Sequence, residues 1–125
     1  MDALRYVILR HENIDAPHFD LMFETVPGSL LSTWRSDIWP IDRPTPLLRL
    51  GDHRRDYLTY EGPVSGDRGS VRQVESGEVK HRVYSDEKLV LELTAEGITR
   101  IVELRREASR GEGHWTATDG DDSYR

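Results

Sequence analysis

A chain of 125 residues and 14.4 kDa is long enough to bury one core and too short for two. Its 17 Lys and Arg stand against 23 Asp and Glu, a formal charge of −6, which excludes coating of nucleic acid by bulk positive charge but leaves room for a local basic cleft. There is no cysteine, so disulfides, cysteine-ligated zinc and thiol nucleophiles are excluded, and any metal must be held by His and carboxylate.

The opening MDALRYVILRHE has an early Asp and only a short apolar run, unlike a signal peptide, and nowhere do eighteen apolar residues follow one another. The expected compartment is the cytoplasm. Residues 4–10, rich in branched and aromatic side chains, predict a first strand running into His11. Residues 13–17 break it, because Asn, Asp and Pro favour turns. Residues 18–24 then alternate, with Phe19, Leu21 and Phe23 on one face and His18, Asp20, Met22 and Glu24 on the other. The first set predicts core and the second a wet face. A turn at Pro27 and Gly28 leads to a strand over 30–34, and the Pro-rich segment 38–46 predicts a loop able to line a site.

Short strands are expected over 47–50 and 57–61, with turns at 62–63 and 66–69. Further strands are expected over 71–74, 79–84, 88–94 and 98–104, broken at 76–77, 85–86 and 96–97. Leu89, Leu91 and Leu93 form an inward face, residues 105–113 a charged connection, and 114–118 a closing strand. The spacing predicts an all-β fold, a small closed or partly closed antiparallel β-barrel of about eight strands. One domain over 1–118 and a disordered acidic tail over 119–125 complete the expectation.

His11, His18 and Asp20 supply two imidazoles and one carboxylate from adjacent strands. Such a set suits Mn, Fe or Zn and leaves coordination positions free for water and substrate. A bare histidine-x-aspartate recurs by chance, and both residues also suit the solvated face of a strand. An iron oxygenase with His18, Asp20 and a distant His81 or His114 is an alternative reading of the same residues. Arg35, Arg43, Arg49, Arg54 and Arg55 cluster in sequence around His53, as a phosphate-binding cleft or as a salt-bridged face.

The segments YVILRHENIDAPHFDLMFE, SLLSTW and GDHRRDYLTYEG together resemble the 3′-phosphoesterase domain of the bacterial repair ligase known as ligase D. In that family a histidine, a histidine-x-aspartate on the next strand and a later DHxxxY element occur in this order. The resemblance covers roughly the first half of the chain. It implies a β-barrel that trims 3′ ends of nucleic acid in DNA repair, removing a terminal ribonucleoside and then the 3′-phosphate, with manganese preferred. It implies His11, His18 and Asp20 as metal ligands, His53 as the phosphate-contacting or proton-handling residue, and Tyr57 as a hydrogen-bonding partner. The partners implied are nucleic-acid 3′ ends and a separate ligase or polymerase chain.

Three positions depart from the family pattern: Met22 stands where the family has a phosphate-gripping Arg, Leu9 where it has Gln, and Gly51 where it has Glu. The first two histidines are also one residue further apart than usual. Arg54 or Arg55 is the expected replacement cation, because a site is defined by geometry rather than sequence position. The alternative is a catalytically weakened module of the same fold that binds nucleic acid or phosphate.

Overall fold

The computed structural model describes residues 3–120, which form β-strands joined by turns, with no α-helix among them. The strands are β1 (Leu4–Glu12), β2 (His18–Phe23), β3 (Leu31–Ser36), β4 (Thr45–His53), β5 (Gly62–Pro63), β6 (Ser70–Tyr84), β7 (Lys88–Ala95), β8 (Ile98–Arg106) and β9 (His114–Asp119). They pair antiparallel in the order β1-β2-β3-β4-β9-β8-β7-β6, and β6 returns to β1, closing an eight-stranded barrel. β5 lies outside the ring, paired only to β6. No helix among the described residues is long and apolar enough to cross a membrane.

The lumen is filled by alternate side chains from all eight ring strands, among them Ile8, Phe23, Trp34, Leu47, Leu91 and Leu104. Leu89, Leu91 and Leu93 face inward as their alternation predicts. Trp34 and Trp115 meet edge to face at 5.5 Å, and burial of such rings dominates the energetics of a core this size.

One expected break and one expected strand are absent, each for a physical reason. Residues 71–74 and 79–84 belong to one strand, β6, because Gly77 is there for close approach and not for a turn. A Cβ at Gly77 would collide with the carbonyl oxygen of Thr94 on β7. A register shift between Ile8 and Leu9 of β1 lets β6 bend as it passes from β1 to β7. Residues 57–61 are likewise no strand: Arg55–Leu58 make a 3₁₀ turn that drives Leu58 into the protein. Of the expected loop over 38–46, Thr45 and Pro46 belong to β4, while Ile38, Trp39 and Ile41 pack with the lumen cluster and Trp39 Nε1 donates to Glu75 at 3.2 Å. The loop does not line the metal cleft described below. Asp119, expected in the tail, is the last residue of β9 and pairs with Val102 of β8, and residues 121–125 lie outside the described residues.

The face of β2 that alternation assigns to solvent is also buried. Val7, Leu9, Met22, Leu31, Leu58 and Val71 form a second apolar cluster on the outside of the wall, with Tyr57 and Val64 packed against it. The 3₁₀ turn, β5 and their connections roof this face, and each aliphatic side chain so covered contributes about 1.5–3 kcal/mol.

Gly77→Ala should lower stability by about 1–3 kcal/mol or more through overpacking. Gly51→Ala, whose Cβ would meet nothing within 4 Å, should stay within about 0.5 kcal/mol of wild type. Thermal or denaturant unfolding measures both, and equal effects would refute the close-approach account of Gly77.

Candidate metal centre

β1 and β2 pair with His11 directly opposite His18, so both imidazoles leave the same face of the sheet. Asp20, two residues along β2, emerges on that face as well. In the turn that connects the two strands Asn13 takes a φ of 61°. One ligand atom from each of His11, His18 and Asp20 lies within 4.8 Å of the others, a group able to hold a metal ion. His18 and Asp20 are 6% and 4% exposed.

Main-chain carbonyls hold each ring. His18 Nδ1 lies 2.9 Å from the Ala16 carbonyl and His11 Nε2 lies 2.7 Å from the Arg68 carbonyl. A carbonyl only accepts, so each of these nitrogens carries the proton, and the free nitrogens are Nε2 of His18 and Nδ1 of His11. Those free atoms face the carboxylate: Nε2 of His18 is 3.2 Å from Oδ1 of Asp20, and Nδ1 of His11 is 3.6 Å from Oδ2. With neutral rings, two lone pairs oppose a buried carboxylate, and Oδ1 of Asp20 has no donor. A proton or a cation must relieve this, and two imidazoles with one carboxylate are a donor set that fits Mn, Fe or Zn. Once protonated, Nε2 of His18 can donate to Asp20, and this hydrogen bond holds the His18 pKa above its ordinary value, against the opposing effects of burial and of Arg35.

Beside this group opens a cleft of about 100 Å³ bordered by His11, Asp20, Met22, His53, Tyr57 and Arg68. His53 Nδ1 donates to the Gly51 carbonyl at 2.8 Å, leaving Nε2 free, and its ring meets Tyr57 edge to face at 5.8 Å. The structure therefore gathers all five residues singled out as metal ligands or catalytic groups. Met22, 1% exposed, belongs to both the outer cluster and the cleft wall.

The expected cations fare differently. Arg55 is paired with the buried Glu24 and donates to the Ser29 carbonyl, so it is held away from the cleft. Arg54 lines an adjoining hollow instead. Arg68 lines the cleft in their place, and its guanidinium donates to the neutral carbonyl and hydroxyl of Ser65. Arg35 stands directly opposite Asp20 on the adjacent strand, on the same face, where its guanidinium donates to the Ala16 carbonyl at 3.4 Å. Sequence reasoning missed Arg68, whose one signal is a cation between two glycines in the turn GDRG. Gly69, at a φ of +73°, lets that turn close onto β1, where a Cβ would strike the Glu12 carbonyl oxygen. His81 donates to the Glu24 carbonyl, and neither it nor His114 belongs to the group, which removes the third ligand of the oxygenase alternative.

Compared with known proteins, the chain matches no family model and no curated sequence.

Because its folded pKa is raised, protonated His18 stabilises the protein below the ordinary value of 6.5, and this support is lost as pH rises through the folded value. A metal ion competes with that proton. The thermal stabilisation produced by Mn²⁺ or Zn²⁺ should therefore be larger at about pH 8 than at about pH 6. Equal gains at both would argue against His18 as a ligand. Glu24 behaves oppositely. Burial raises its pKa, but hydrogen bonds from Arg55 and the Arg5 and Gly28 amides outweigh this and hold it below 4.5. Its contribution is present above that value and lost on acidification, so Glu24→Gln should flatten the acid limb of the stability profile measured by thermal unfolding.

Proposed function

We propose that this protein is a metal-dependent phosphoesterase, resembling the 3′-phosphoesterase of ligase D, that acts on 3′-phosphate or 3′-ribonucleotide ends of nucleic acid in DNA repair, with manganese as the preferred ion. The observation that carries the reading is the convergence of one ligand atom each from His11, His18 and Asp20 within 4.8 Å, beside a cleft lined also by His53, Tyr57 and Arg68. A divalent ion bound there would supply Lewis-acid polarisation of a phosphoryl oxygen. Arg68 offsets the remaining negative charge on the phosphoryl group, the role the family gives to an arginine at the position of Met22. His53, with Nδ1 committed to Gly51, has Nε2 available to pass a proton to or from the ester. Tyr57 packs on His53 and offers its hydroxyl as a hydrogen-bond donor.

Met22 favours a second reading, a module of this fold that binds phosphate or nucleic acid without turning it over, since a buried thioether in the cleft wall contributes no charge.

The test is incubation with Mn²⁺ and a DNA primer ending in a 3′-phosphate. Wild type should release phosphate, and His11→Ala and Asp20→Ala should not. Arg68→Ala removes the guanidinium but keeps the carbonyl that holds His11. It should lower kcat/KM by about 10²–10³ while leaving the affinity for Mn²⁺ unchanged. No product from metal-loaded wild type refutes the phosphoesterase, and phosphate binding without product establishes the second reading.

A further inference from the structure

The cleft beside His11 and Asp20 holds about 100 Å³, less than the roughly 150 Å³ that accommodates one benzene-sized ring. It has space for an ion and a phosphoryl group, so the organic part of an ester must lie elsewhere. A second hollow, of about 230 Å³, adjoins it and shares Tyr57 and Val64 as a common wall. Its other borders include Arg54, Tyr60 and Pro63.

Three rings lead from one hollow to the other. His53 meets Tyr57 at 5.8 Å and Tyr57 meets Tyr60 at 6.0 Å with an interplanar angle of 87°, each edge to face. Tyr60 is 38% exposed, yet it is not loose. Its hydroxyl donates to the Pro63 carbonyl, and its ring lies over Gly62, where a Cβ would stand 3.3 Å from that hydroxyl oxygen. An exposed ring held rigid on a glycine offers stacking area at little cost in ordering entropy. Arg54 is exposed at the border of the same hollow, and a guanidinium stacks on planar rings or pairs with a further phosphate.

The geometry points to the Tyr57–Tyr60 hollow as a subsite for a planar heterocycle, a nucleobase carried on the phosphate ester whose phosphoryl group sits in the metal cleft. The inference rests on the phosphoesterase reading and adds to it a specificity element, Tyr60, that lies outside the metal group. Selectivity at this site then comes from stacking, which tolerates any base, and not from hydrogen bonds to base edges.

The test uses the full chain loaded with Mn²⁺ and compares a nucleoside 3′-monophosphate with glycerol phosphate, by steady-state hydrolysis and by calorimetric binding. Wild type should show a KM and a Kd at least about tenfold lower for the nucleotide. Tyr60→Ala should erase that preference and leave glycerol phosphate hydrolysis unchanged. Tyr60→Phe, which loses the clamp on Pro63 but keeps the ring, should retain most of it. Equal KM and Kd for the two phosphates in wild type, or undiminished preference in Tyr60→Ala, overturns the subsite alone. Absence of binding and turnover with both overturns the phosphoesterase reading and the subsite together.

Discussion

The register between β1 and β2 is the constraint on which the rest depends. His11 stands opposite His18, and Asp20 follows two residues later on the same face. Side chains alternate along a strand, so a slip of one residue would send the His11 imidazole to the other side of the sheet from His18. The register is itself held by burial on both sides of the wall. Tyr6, Ile8, Leu21 and Phe23 fill the lumen, while Val7, Leu9 and Met22 fill the outer cluster. A slip would exchange the two sets and set polar groups into the lumen, a penalty far greater than that of any one hydrogen bond.

The site lies on the outer surface of the barrel and is sheltered by a roof. Residues between β4 and β6 turn back over β1 and β2, insert Leu58 and Val64 against the outer cluster, and thereby take His18 and Asp20 out of water. Removal from water makes the opposition of lone pairs and carboxylate costly, and so gives the group its demand for a cation. The same roof contributes Tyr57 and Arg68 to the cleft. Shelter and function therefore come from one segment of chain.

Much of this was legible in the residues. The period of two in β2 and the leucines of β7 each state an inward face, the apolar run of β1 states a strand, and the spacing of strands and turns states an all-β barrel, closed or partly closed. His11, His18 and Asp20 could be grouped because adjacent strands with a short connection must pair antiparallel. What could not be read was long-range. Gly77 looks like a turn residue until Thr94 is known to cross it. The wet face of β2 looks wet until a roof from forty residues downstream is known to cover it. Arg55 looks free until its partner, Glu24, is found buried. Arg68 shows in the sequence only as a cation in a glycine turn, because what brings that turn to the site is its contact with Glu12 and His11.

Residue 68 divides its labour between main chain and side chain. Its carbonyl accepts from Nε2 of His11 and so fixes the tautomer of that ring, a duty of the main chain, while its guanidinium donates to the carbonyl and hydroxyl of Ser65. Charge at this spot is thus decoupled from the scaffold that orients the imidazole. Exchange of this one side chain therefore alters the charge beside the site while the main-chain contact that orients His11 stays in place.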